Sequence, residues 1–553
     1  GNGFQTVIAT TIQTNGTHTT SNAGAAISLT GNVTLQGDAK LDTGAGNSNI
    51  TVSGTIDATA GGQYLWMLAG TGTIDLQSEV GGATPLNFVL VSNAGTARFG
   101  GNVTGNGFQT VIATTIQTNG THTTSNNDIT LTGNVVLQSA SGLNTGGGAG
   151  NITVSGTING AQALTLAAGT GNVNLQSAVG GTTALSSLTI SSAATANLND
   201  ATTTGAQSVT AGTVQTNSVY RTTNSNITIT GNLELDSATT FTTGTGTGNI
   251  TVSGTINGAQ SLSLRAGTGT INLQSAVGGT TALSSLTISS ASTANLPSIA
   301  TTGAQSITAT TIQTNGTQTT SNSSITLLGN VTLQSNTKLD TGAGNGNITV
   351  SGTVNGAQSL MLLAGTGAID LQDAVGDATA LDFMLVSNAG TARFGGNVTS
   401  TGFQTVIATM IQTNGTHTTS KQPITLLGNV TLQGNTKLDT GAGKGNITVS
   451  GTVNGPQSMT LEAGTGIVDL RGAVGGTTPL SSLTIGSAGT AKLNDATTTG
   501  AQSVTAGTVQ TNSVYRTTNS NITITGNLEL DSATTFTTGT GTGNITVSGT
   551  ING

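Results

Sequence analysis

Cysteine is absent from this chain of 553 residues, which removes disulfides, thiol catalysis and cysteine metal sites together. Proline is scarce, at 5 residues, and no Gly-X-Y period runs through the 83 glycines, so collagen is excluded. Charged residues make up 6% of the chain, aromatics 2%, and the net charge is −8. No basic stripe exists to follow a phosphate backbone, which argues against nucleic acid as a partner. No apolar run approaches the ~20 residues of a transmembrane helix, and no secretory signal is visible. Gly1 opens inside a repeat, so the sequence reads as a segment of a longer chain.

What remains is Val, Ile, Leu and Ala interleaved with Thr, Ser and Asn, a strand composition. It is also strongly repetitive. The string NITVSGT recurs at Asn49, Asn151, Asn249, Asn347, Asn446 and Asn544. A second marker is the glutamine of GFQ or GAQ, at Gln5, Gln109, Gln207, Gln305, Gln404 and Gln502. Both give a unit of about 98 residues. A longer period overlies it: Leu198 to Gly258 is identical to Leu493 to Gly553, an offset of 295, or three units.

Each unit divides again. Apolar-polar-apolar triplets begin at Ile227, Ile250, Leu262, Leu286, Ile307 and Ile325, a mean step near 20 residues. Such triplets place one apolar row on one side of a strand, and the Gly and Asn between them supply corners with positive φ. One coil cannot bury its own row, whereas coil stacked on coil at ~4.8 Å can. The expected fold is therefore all-β: one parallel β-helix, or β-solenoid, over residues 1–553, right-handed, with five rungs of about 20 residues per unit. Some 28 rungs would span on the order of 130 Å.

These rungs, with the NITVSGTING and LxAGTGxIDLQ strings, resemble the repeat regions of filamentous haemagglutinin-like, two-partner-secreted bacterial adhesins. The resemblance covers nearly the whole chain, although the family's amino-terminal secretion domain is not recognisable in it. It implies a secreted or cell-surface bacterial filament that attaches to hosts, other cells or matrix. It carries over no catalytic residue.

Candidate chemistry is sparse. LDTGAG, at Asp42, Asp340 and Asp439, matches the loop of retroviral-type aspartic proteases, but the same slot holds Asn144 and Thr242 elsewhere, so it reads as a corner. His18, His122 and His417 share one slot with Gln318, lie too far apart to share a metal, and read as surface residues. The Gly244–Gly248 string lacks the helix and the Lys of a phosphate loop. Asp370 and Asp373 could hold only a surface ion. The asparagines of the NIT strings are expected to stack in ladders between rungs. Phe4, Phe108 and Phe403, like Phe99 and Phe394, read as interior or corner packing, and Trp66 as core filling.

No catalytic, cofactor or metal site is therefore expected. The function expected is a structural extracellular fibre or adhesin stalk that self-associates into filaments or bundles and contacts cell-surface glycans or other cells. The rivals are a Thr-rich glycan- or ice-binding array and, further off, a polysaccharide-cleaving β-helix, which would need a one-off cluster of acid, base or histidine on one face.

Overall fold

The computed structural model describes residues 3–22 and 24–553, in two compact units, Gly1–Ala276 and Val277–Gly553. Among the described residues there is no helix: all regular structure is short β-strand, and every strand pairing is parallel. The chain winds as a β-solenoid of about 26 turns with ~21 residues per turn.

In the first unit the register defines three inward columns. One runs Gln109, Ile129, Ile152, Val173, Ala196, Val214, Leu233, Ile256. A second runs Ile116, Val135, Ile158, Val179, Ala201, Tyr220, Phe241, Leu264. The third runs His122, Leu143, Leu166, Ile190, Val209, Ile229, Val252, Leu273. All of these residues are buried, and their strand neighbours face outward, as the period-2 pattern requires. The second unit repeats the plan, for example along Gln305, Ile325, Ile348, Ile369, Ala392, Ile411, Val430 and Val453.

The columns correct the expected count of five rungs per unit. Gln109 lies in the first column, whereas its equivalent Gln207, paired with Leu188 and Ile227, lies in the third. A step of 98 residues is therefore four turns and two columns, or four and two-thirds turns. The triplet count came to five because it counted the step from Ile250 to Leu262, which is only part of a turn, as a whole one. Three steps make fourteen whole turns, which is the length of the 295-residue sequence period.

Glycine turns the corner between the first two columns. Residues 113 and 114 both face Gly133 across a bulge, and Gly133 has φ 138°. A Cβ there would sit 1.7 Å from the Ala113 carbonyl oxygen. Gly31, Gly231, Gly329, Gly428 and Gly526 repeat this, each with positive φ and a carbonyl at 1.7–1.9 Å from the same ideal Cβ position.

Candidate functional site

The marker glutamines point inward. Gln109 is 1% exposed, and its Nε2 donates to Thr123 O at 2.7 Å and Val103 O at 3.1 Å. Gln207, Gln404 and Gln502 bind the equivalent carbonyls. Each thus satisfies backbone carbonyls at a corner where a buried orphan would be costly.

The histidines were expected at the surface, and two of them are not there. His122 is 1% exposed and His417 0%. The alternation places the middle residue of Thr-His-Thr inward, between Val103 and Leu143 for His122. Its Nδ1 bonds Gln109 Oε1 at 3.1 Å, its Nε2 bonds Thr118 Oγ1 at 3.1 Å, and Phe99 meets it edge-on at 4.9 Å. His417 repeats this with Gln404, Thr413 and Phe394. Burial pushes both imidazoles down to about 4. His18 is half-buried, and Gln318 fills the slot as a buried residue. Tyr220 and Tyr515 occupy it too, donating to Leu198 O at 2.8 Å and Leu493 O at 2.9 Å. Burial raises both phenols. The slot thus takes a side chain with an apolar body and a polar tip, without any shared chemistry.

The acidic corners are turns. Asp42, Asp340 and Asp439 each accept the N–H of the glycine two residues on, at 2.8 Å, and Asn144 does the same for Gly146 at 2.9 Å. Lys40, Lys338 and Lys437 pair with these aspartates at 2.7–2.8 Å. At Asp439 partial burial works against the charge, but the Lys437 hydrogen bond and the Gly441 N–H outweigh it and hold the carboxyl below its usual value. Asp370 turns to Gln372 and Arg393, and Asp373 to the Ala374 N–H, so the two do not form one ion site. No group of three or more metal-ligating side chains occurs among the described residues.

The asparagines of the NIT strings act across turns, but through the backbone. Asn49, Asn249 and Asn446 accept the N–H of Thr73, Thr270 and Ile467 in the following turn at 2.7–2.8 Å. They cap the next strand rather than stack amide on amide.

The outer faces hold the remaining surprises. Phe108, read as interior or corner packing, is 41% exposed and so not interior. It stacks on Phe88 (4.8 Å), which stacks on Tyr64 (4.4 Å), with ring planes within 9°. Phe403 stacks likewise on Phe383 at 4.7 Å, whereas Phe4 is 75% exposed. Trp66 is not core either: it faces outward, donates to Ser92 Oγ at 2.8 Å and lies under the Lys40 ammonium at 4.2 Å. Phe99 and Phe394 are buried as expected. Parity explains the difference, because Phe108 immediately precedes the inward Gln109, while Phe99 is itself an inward position. The rings stack face to face across neighbouring turns, so this patch reinforces the stack.

No family model, curated protein or solved structure matches this chain.

Proposed function

We propose that the chain is a non-catalytic structural stalk on the outside of a bacterial cell. In this reading it holds an attachment surface at a distance, as the resemblance to filamentous haemagglutinin-like repeats implies. The observation that carries it is the unbroken parallel pairing of each turn with the next within both units. Each turn adds ~4.8 Å for ~21 residues, and repetition extends the stack without the size limit of a globular core. The polar groups support the reading as well. The buried glutamines, histidines and tyrosines and the turn aspartates are all used within the fold, in nearly the same way in unit after unit. No helix among the described residues is long and apolar enough to cross a membrane.

Electron microscopy of the purified chain tests this. Each unit is expected as a thin stack of turns spaced ~4.8 Å apart. A compact particle would overturn the stalk. Attachment and lateral bundling are tested separately, by cell binding and by sedimentation over a concentration series.

A further inference from the structure

One face of the first unit carries a groove of about 240 Å³ lined by carboxamides. Asn174, Asn197 and Gln215 form its floor from three successive turns, in register with one another. Asn199, Asn217 and Asp236 form the rim, one from each of three successive turns. The floor is pre-set by Asn197 Nδ2 donating to Asn174 Oδ1 at 2.5 Å, and the rim by Asn199 Nδ2 donating to Gln176 O at 3.0 Å. Asn197 Oδ1 is buried without a partner. Among the described residues the side chains of Gln215, Asn217 and Asp236 make no hydrogen bond, so donors and acceptors converge on one notch.

The repeat supplies its own comparison. The slot of Asn199 holds Gly100, Pro297 and Gly395 in other units, and that of Asp236 holds Gln138, Gln334 and Gln433. Only the unit 295 residues on, with Asn494 and Asp531, keeps both. There, however, the floor is Asp469, Lys492 and Gln510. Arg471 Nε pairs with Asp469 at 2.8 Å, and Gln510 Nε2 donates to Glu529 at 2.9 Å, so two of its three floor residues are already engaged.

We propose that the Asn174–Asp236 groove binds a single ring of a neutral sugar. Neighbouring hydroxyls of a pyranose each donate and accept, which matches carboxamides beside one carboxylate. The volume lies below the roughly 300–1,000 Å³ of sites for drug-sized ligands and suits one ring. Asp236 disfavours anions, and a lone carboxylate is a poor calcium site. With no aromatic ring in the lining, affinity comes from hydrogen bonds alone, with Kd on the order of 1 mM, and attachment would need many copies. The inference gives the attachment reading its partner class. Because binding is measured on the isolated chain, its failure leaves the stalk untouched.

The test is saturation-transfer NMR of the full chain with the methyl glycosides of glucose, galactose, mannose and N-acetylglucosamine. At least one should bind, and Asp236→Asn and Gln215→Ala should each weaken it by about fivefold or more. Both side chains project from the outer surface, so the melting temperature should hold. Lys492→Ala in the second groove should leave binding unchanged. Absence of saturation transfer to all four, binding that survives both groove variants, or a calcium-induced shift at Asp236 without sugar binding would each overturn the proposal.

Discussion

At the scale of single residues the two buried histidines give the chain a pH dependence of definite sign. Their folded pKa, about 4, lies below the unfolded value near 6.5. The unfolded state therefore takes up protons first as pH falls. Their stabilising contribution is full above about pH 6.5, declines between 6.5 and 4, and is spent below 4. Each is worth on the order of 3 kcal/mol over that window. Gln318 shows what the slot tolerates, so the His122→Gln, His417→Gln double variant should fold. Its denaturation midpoint should change much less than wild type between pH 7 and 4.5, and equal slopes in the two proteins would refute the assignment. Carboxylates such as Asp439 weaken the fold at lower pH in both proteins alike and cancel in the comparison. The sequence showed that His122 and Gln318 share a slot, but not its parity. In Thr-His-Thr no apolar residue marks the inward side, and threonine suits either. Gln109 was legible as a marker by its recurrence, but its role was not, because a buried glutamine is recognised only by the carbonyls it meets.

At the scale of the strand and its corners, the apolar triplets and the Gly-Asn corners were legible because period-2 alternation and positive φ leave direct traces in sequence. The bulge at Gly133 was legible only as a corner, since two residues facing one is a property of the pair of turns. Gly133→Ala drives a Cβ into the Ala113 carbonyl and should cost at least about 2 kcal/mol through strain and lost pairing. Hydrogen exchange should quicken in the paired strands Gln109–Thr118 and Ile129–Leu137 while distant turns stay protected, as expected for a stack of nearest neighbours. The outward aromatic column behaves differently. Phe88 has Ser187, Ser285 and Ser482 as its equivalents, so serine is compatible with the fold there. Phe88→Ser should remove stacking on both Tyr64 and Phe108, lowering local stability by about 1–2 kcal/mol without unfolding the turn. A loss much above that range would mean that Phe88 packs into the core.

At the scale of the whole molecule the sequence period and the structural period differ. A 98-residue repeat is not a whole number of ~21-residue turns, so within each compact unit successive repeats present the same sequence on successive faces. Within each compact unit, side chains that recur every 98 residues are spread around the solenoid. Three repeats amount to fourteen whole turns, the length over which sequence and turn phase come back together. From the sequence alone the turn could be sized only by averaging triplet steps, and those steps mixed moves along a turn with moves between turns. Spin labels decide the point, and the lack of native cysteine makes them simple to place. Thr110 and Gln215 project from one face, linked in register through Thr130, Thr153, Asn174 and Asn197. Five turns at ~4.8 Å put their backbones about 24 Å apart. Thr110 and Ser208, 98 residues apart in equivalent slots, project from different faces, because Ser208 pairs with Thr189 and Thr228 in the third column. Double electron–electron resonance on the 110/215 and 110/208 cysteine pairs should therefore give the longer distance for the pair closer in sequence. The reverse order would restore a unit of five whole turns and remove the rotation of faces from the repeat.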